Sequence, residues 1–127
     1  MITGKRYENL AARVTSRTHE LISGVEPNIG GGDEGLNPHR ILEAALAACT
    51  IITVQMYANR KKMKLESTHA EVNIASEGAE TKITRVLDFK GELTDAEKEQ
   101  LLTIANKCPI HKLLIGKIEI STELKSF

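Results

Sequence analysis

The chain has 127 residues and balances 17 lysines and arginines with 17 aspartates and glutamates, so its formal net charge is zero. A nucleic-acid-binding protein usually shows a basic excess and a base-stacking surface needs aromatic rings, but aromatic residues are only 3% of this chain. Hydrophobic residues at 41% and charged residues at 27% are typical of a globular protein, and the length predicts one domain over residues 1–127.

Two short strands are predicted first, at residues 5–14 and 17–23, because both segments alternate weakly between apolar and polar residues. Residues 25–38 are dense in glycine, proline and asparagine, which is typical of a loop. Asn37 and Pro38 close this loop with a helix-start signal, an asparagine N-cap followed by proline at the first helical position.

A long helix is predicted from Pro38 to Lys62, and its sequence is apolar on nearly every side. Such a pattern indicates a helix that is buried all round. Short strands and one modest helix offer too little surface to cover it, and large exposed apolar patches mark interfaces. We therefore expect an obligate homodimer in which a second copy of the chain supplies the missing cover.

A hairpin follows the long helix. Residues 66–76 and 81–91 both alternate between apolar and polar side chains, as strands with one buried face do. Arg85 interrupts the apolar face of the second strand, and we expect it to lie at the edge of that face.

The last third of the chain is predicted to hold two helices and a strand. Thr94 and Glu97 have the spacing of a capping box, which starts a helix that must stop before Pro109. Pro109 then starts a short helix that ends at Ile115. Residues 118–124 alternate between apolar and polar side chains and predict a final amphipathic strand.

The two cysteines, Cys49 and Cys108, are either two inert core thiols or a redox couple. Apolar neighbours on the helix would raise the pKa of Cys49, so its reactivity needs a cation from elsewhere in the fold or from a partner chain. Cys108 lies where a helix begins, and the positive end of the helix dipole favours a thiolate there. Cys108 and His111 have the spacing of two zinc ligands. Structural zinc needs four ligands, however, and the sequence has no second close pair of cysteine or histidine residues.

Two motifs resemble those of the osmotically inducible protein C family, whose close relatives are the organic hydroperoxide resistance proteins. The segment Gly35-Leu-Asn-Pro38 leads into a helix that contains Ala47-Ala-Cys49. The second cysteine lies in Asn106-Lys-Cys108-Pro-Ile-His111, and Gly91-Glu-Leu-Thr94 opens the helix before it. The resemblance covers essentially the whole chain.

This resemblance implies an α+β fold in which antiparallel sheets wrap around long central helices in an intertwined homodimer. It implies a peroxidase for organic and fatty-acid hydroperoxides, with Cys49 as the peroxidatic thiol and Cys108 as the resolving thiol. It further implies no bound cofactor and no metal, and an external dithiol reductant such as a lipoyl protein. The alternative is a non-catalytic or sensor-like dimer that binds a small apolar or thiol ligand.

The chain departs from the family pattern at His39, where the best-studied members carry glutamate after Asn-Pro. Ten residues of helix put His39 about 15 Å from Cys49 along the axis, so a catalytic role would act across the dimer; otherwise it is an exposed first-turn histidine. The family arginine comes from the N-terminal region, which makes Arg17 the first candidate and Arg13 the second. Glu43 is a further catalytic candidate; it lies inside the apolar run of the long helix and either pairs with an arginine there or lies at an edge that faces water.

The compartment is predicted from what the sequence lacks. Residues 1–8 contain no apolar run of the kind that a signal peptide needs. Residues 41–58 are the longest apolar stretch, but Glu43 and Gln55 interrupt it, whereas a membrane span is cleaner and somewhat longer. We expect a cytoplasmic protein with neither a membrane nor a nucleic-acid partner.

Overall fold

The computed structural model describes residues 1–127 and divides into two compact units, Met1–Ala44 and Ala45–Phe127. Its elements form an α+β fold with antiparallel sheets, which confirms the predicted fold class. The structure contains one chain, so the homodimer stays a prediction.

Three short antiparallel strands form the sheet of the first unit. They are β1 (Thr3–Arg6), β2 (Ala12–Ser16) and β3 (His19–Ser23). The single strand predicted at residues 5–14 is wrong, because a turn separates β1 from β2 and is closed by a hydrogen bond from the Ala11 N–H to the Glu8 carbonyl. Asn9 takes a φ of 44° in this turn, a left-handed conformation that asparagine adopts more readily than most residues.

Helix α1 (Pro38–Arg60) begins where the sequence predicts and ends two residues earlier. The Asn37 side chain caps it, since its Oδ1 accepts a hydrogen bond from the Arg40 N–H at 3.0 Å. The Asn37 amide also donates to Glu26 Oε1 at 2.6 Å. The loop residue Glu26 therefore holds the capping asparagine in place.

One face of α1 is buried and the opposite face is exposed. The buried residues recur every four positions: Leu46, Thr50, Val54 and Ala58. The large exposed apolar residues are Leu42 at 41%, Ile52 at 58% and Met56 at 68%. The sequence predicts a helix that is buried all round, but the single chain buries only one face of α1. By length and composition alone α1 could cross a bilayer, a test that the core helix of a soluble protein also passes.

The second unit packs a hairpin and two helices against the buried face of α1. Its elements are β4 (Lys64–Ser76), β5 (Lys82–Glu92), α2 (Asp95–Ala105) and α3 (Pro109–Ile115). The core cluster consists of Val54, Ala58, Leu65, Phe89, Leu101 and Ala105. The predicted hairpin and both predicted helices are confirmed.

The capping box of α2 is confirmed in both directions. Thr94 Oγ1 accepts from the Glu97 N–H at 3.0 Å, and Glu97 Oε1 accepts from the Thr94 N–H at 2.9 Å. Cys108 is the N-cap residue of α3. The chain direction thus changes at Cys108, between the end of α2 and the start of α3.

The final strand predicted at residues 118–124 does not form in the single chain. Its apolar residues face solvent, with Ile118 54% exposed, Ile120 86% and Leu124 102%. A strand needs a neighbouring edge to satisfy its backbone hydrogen bonds, and in the single chain this segment pairs with no strand.

Candidate active site

The two cysteines lie together in the second unit. Cys49 is in the middle of α1 and is half-buried, whereas Cys108 at the start of α3 is fully buried. Both are free thiols, and they lie close enough together for each to shift the pKa of the other. The Cys108 sulfur also accepts from the His111 N–H at 3.3 Å. The tertiary fold thus joins two thiols whose positions are 59 residues apart.

Burial raises the pKa of Cys49, but hydrogen bonds to its sulfur outweigh that effect and the net pKa is lowered. The largest of these comes from the Cys108 side chain, followed by the backbone N–H of Ile110. The Thr53 hydroxyl lies 3.9 Å from the Cys49 sulfur and contributes as well. The positive charge of Arg85 acts in the same direction.

The pKa of Cys108 shifts the opposite way. Burial raises it most, and the hydrogen bond with Cys49 raises it further, against the lowering effect of the His111 backbone N–H. The sequence-based direction for Cys108 is therefore wrong. At Cys49 burial raises the pKa as expected, and the groups that reverse the shift, Arg85 among them, come from elsewhere in the fold. The helix dipole at Cys108 favours the thiolate, but burial of the sulfur disfavours the charged form and raises the pKa by more.

The cation beside this pair is Arg85 on β5. Its Nη1 donates to Thr50 Oγ1 at 3.0 Å. Its Nη2 donates to Asn106 Oδ1 at 2.9 Å and to His111 Nδ1 at 3.0 Å. Because all three acceptors are uncharged, none of them cancels the positive charge of the guanidinium.

Thr50 and His111 hold Arg85 from two different helices. Thr50 is fully buried, and its hydroxyl donates to the Leu46 carbonyl at 2.7 Å while it accepts from Arg85. Arginine is always a donor, so the Nδ1 atom of His111 must accept, which leaves the ring proton on Nε2. Burial and the charge of Arg85 lower the pKa of His111 and favour this neutral ring.

The remaining candidate residues lie in the first unit. Glu43 is buried and pairs with Arg40, whose Nη1 lies 2.7 Å from Glu43 Oε1 and 2.9 Å from Oε2. Of the two alternatives for Glu43, the structure shows the arginine pair. His39 is exposed in the first turn of α1, and its predicted role stays a prediction.

The two arginines chosen from the sequence have surface positions. Arg17 lies in the turn between β2 and β3 with a φ of 55°. Arg13 on β2 lies 3.9 Å from Glu20 and 4.7 Å from the centre of the Tyr7 ring. A catalytic role for either one stays a prediction, since no contact in the structure tests it.

Sequence reasoning missed the residues that surround the two thiols. Arg85 carried a visible signal, because it occupies an inward position of the β5 alternation between Ile83 and Leu87. A charge on the buried face of a strand needs partners, so such an arginine marks a candidate site. Thr50 carried a weaker signal as a polar residue within an apolar helix.

The comparisons with known proteins agree with this fold. The family model described as OsmC-like protein matches residues 30–123. No curated protein sequence matches the chain.

Three solved structures are similar over nearly the whole chain. An OsmC like protein from Mycoplasma pneumoniae is 20% identical with a TM-score of 0.76, covering 91% of this chain and 86% of that one. An organic hydroperoxide resistance protein OsmC from Legionella pneumophila is 24% identical with a TM-score of 0.67, covering 91% and 88%. An organic hydroperoxide resistance protein from Elizabethkingia anophelis is 22% identical with a TM-score of 0.69, covering 93% and 89%. Identities this low establish a shared fold, and the family match over most of the chain establishes that this protein belongs to the OsmC-like family.

Proposed function

We propose that this protein is a thiol-dependent peroxidase that reduces organic hydroperoxides to alcohols. The observation that carries the proposal is that the fold brings two free thiols together and that their pKa values shift in opposite directions. The lowered pKa of Cys49 makes it the nucleophile, and the raised pKa of Cys108 keeps a protonated thiol beside it. The names of similar structures from Legionella pneumophila and Elizabethkingia anophelis, which describe organic hydroperoxide resistance proteins, support the same substrate class.

In the first step, the Cys49 thiolate attacks the terminal oxygen of the hydroperoxide and the O–O bond breaks. The alkoxide takes up a proton and leaves as an alcohol, and Cys49 becomes a sulfenic acid. Cys108 then attacks the sulfenic sulfur, water leaves, and a disulfide joins Cys49 to Cys108. An external dithiol, such as that of a lipoyl protein, restores both thiols by exchange.

The surroundings of Cys49 favour an organic substrate over hydrogen peroxide. Ile52 and Met56 lie within two turns of Cys49 on the same helix and expose apolar surface, part of which stays open beside Cys49 in the dimer proposed below. Contact between such surface and an alkyl chain gains free energy in proportion to the apolar area buried, and hydrogen peroxide offers no such area.

The peroxidase proposal is tested by counting thiols. Because the chain contains two cysteines, the loss of both thiols per chain, reversed by a dithiol, reports disulfide formation, since sulfinic and sulfonic acids are not reduced by dithiols. We expect cumene hydroperoxide to remove both thiols and dihydrolipoamide to restore them. Cys108→Ser keeps one oxidisable thiol, whose sulfenic acid dimedone traps, and Cys49→Ser is expected to lose none.

A second candidate is a non-catalytic dimer that binds a small apolar or thiol ligand. It is favoured by His39, which occupies the position of the family glutamate. If cumene hydroperoxide in excess removes no thiol from the folded, reduced protein, the peroxidase proposal is refuted and this candidate takes its place.

We also propose that the working form is a homodimer. The exposed apolar face of α1, which includes Leu42, Ile52 and Met56, has the character of an interface. The exposed alternating residues after Ile115 add a second surface that a partner chain could cover. Sedimentation at micromolar concentration is expected to give twice the 14.0 kDa mass of the chain. A stable folded monomer would contradict the proposal.

A further inference from the structure

The side chain of His111 accepts a hydrogen bond from Arg85, and this bond determines the protonation state of its ring. Its Nδ1 accepts from Arg85 Nη2 at 3.0 Å, and this bond requires an unprotonated Nδ1. Thr50 and Asn106, the other two acceptors of Arg85, do not titrate. His111 is therefore the one acceptor of the three whose bond to the guanidinium can be lost by protonation.

We propose that His111 is a positioning residue for the redox pair, and that its neutral ring holds Arg85 where the guanidinium stabilises the Cys49 thiolate. The inference rests on the proposed function in taking Cys49 as the reactive thiol. His111 acts through Arg85. Without its Nδ1 acceptor, Asn106 alone holds Nη2, so the guanidinium is less firmly placed and stabilises the Cys49 thiolate less.

The titratable groups of this cluster come from three elements. Arg85 faces His111 from β5, Cys49 lies on α1, and Cys108 precedes His111 at the start of α3. A proton on His111 would create two positive charges where the hydrogen bond now is, and like charges at this distance repel. Burial together with Arg85 lowers the pKa of His111, so the neutral ring persists to more acidic pH than in a free histidine.

The side-chain role can be separated from the backbone role. The His111 backbone N–H donates to the Cys108 sulfur at 3.3 Å, and substitutions of the side chain leave that N–H in place. His111→Asn keeps an acceptor oxygen near the Nδ1 position that cannot be protonated at these pH values. His111→Leu removes the acceptor and retains an apolar side chain of similar length.

The experiment measures alkylation of Cys49 by iodoacetamide across a pH series, located by peptide mass spectrometry. No peroxide is present, so the outcome does not depend on whether the protein is a peroxidase. One pKa unit corresponds to about a tenfold drop in thiolate at pH below the thiol pKa. Because Thr50 and Asn106 still hold Arg85, we expect His111→Leu to slow alkylation by less than that, about threefold to fivefold. His111→Asn is expected to stay within about twofold of the wild type.

A double-mutant comparison tests whether His111 acts through Arg85. Arg85→Met alone is expected to slow alkylation at least as much as His111→Leu, and adding His111→Leu to Arg85→Met is expected to cause no further loss. If the two effects multiply instead, His111 acts independently of Arg85 and the proposal is overturned. Wild-type rates in folded His111→Leu would overturn it as well.

A last readout does not use His111→Leu and therefore covers the case in which that variant fails to fold. The ratio of wild-type to Arg85→Met rates is expected to fall as His111 becomes protonated at acidic pH. In proteins that also carry His111→Asn, the same ratio is expected to stay constant through that range. A wild-type ratio that does not change with pH would show that the protonation state of His111 does not matter.

Discussion

Replacement of Thr50 by valine tests how firmly the cluster around Arg85 is held. The Thr50 side chain is fully buried, and its hydroxyl accepts from Arg85 Nη1 at 3.0 Å. Valine has nearly the same shape, so Thr50→Val removes the hydroxyl with little change in packing. A hydrogen bond to a charged group contributes about 1.5–3 kcal/mol.

The lower end of that range is expected for Thr50→Val. Arg85 is half-buried, so water can replace part of the lost bond, and Asn106 and His111 still hold Nη2. The bond from the Thr50 hydroxyl to the Leu46 carbonyl adds little, since that oxygen remains available to the helix. The loss in free energy of unfolding is therefore expected to be about 1.5 kcal/mol, measured by urea denaturation of the reduced protein.

Thr50→Ser is the matched control, because serine keeps the hydroxyl and loses only a buried methyl group. Serine costs roughly 1 kcal/mol through the small cavity, so stability alone does not separate the two variants. The rate of Cys49 alkylation does, since valine is expected to raise the pKa of Cys49 and serine to leave it unchanged. If valine changes stability by less than about 0.5 kcal/mol and leaves alkylation at the wild-type rate, Thr50 does not hold Arg85.

Three further predictions concern the core, a helix cap and pH. Leu101→Ala is expected to cost about 2–5 kcal/mol in urea denaturation because Leu101 is fully buried, whereas the half-exposed Leu102 should lose far less on the same change. Thr94→Ala removes the cap of α2 and is expected to cost about 1 kcal/mol, with Thr94→Ser as the control that stays near wild type. The lowered pKa of Cys49 predicts stability that is present above the pKa of an unfolded thiol and is lost as pH falls through the folded pKa. Urea midpoints of wild type and Cys49→Ser should converge with falling pH, and a constant gap would contradict this sign.

Local signals in the sequence predicted the helices well because their determinants are local. Asn37 and Pro38 at the start of α1 act over three or four residues, and so do Thr94 and Glu97 at the start of α2. Hydrogen bonds of this range form in the same way whatever the rest of the fold does. The boundaries of these helices therefore follow from the sequence to within a few residues.

Strands were harder to predict because a strand depends on what it pairs with. Residues 118–124 have the alternation of a strand, but in the single chain they pair with no other strand. At residues 5–14 the alternation is weak, and a tight turn through Asn9 breaks the segment into two strands. Alternation of apolar and polar residues predicts which face of a strand is buried, but it does not predict which strand it pairs with.

The ionisation of the two thiols could not be predicted from neighbours along the chain. The expected lowering effect at Cys108 does exist, since the His111 and Ile110 backbone N–H groups lower its pKa. Full burial of the sulfur and its hydrogen bond with Cys49 are larger and reverse the sign. Both larger effects depend on which side chains the tertiary fold brings to Cys108, Cys49 among them, and no spacing in the sequence specifies that.

The contrast between two arginines shows why the partners of Arg85 matter for function. Arg40 binds both oxygens of the Glu43 carboxylate, and a bidentate pair of this kind largely cancels the field of each charge at a distance. Arg85 is held with comparable geometry by a hydroxyl, an amide and an imidazole, which orient the guanidinium and leave its charge in place. The Cys49 thiolate can then serve as the counter-charge of Arg85. Replacing one neutral partner with a carboxylate, as in Asn106→Asp, is expected to raise the pKa of Cys49, although the hydrogen bond to Arg85 itself becomes stronger.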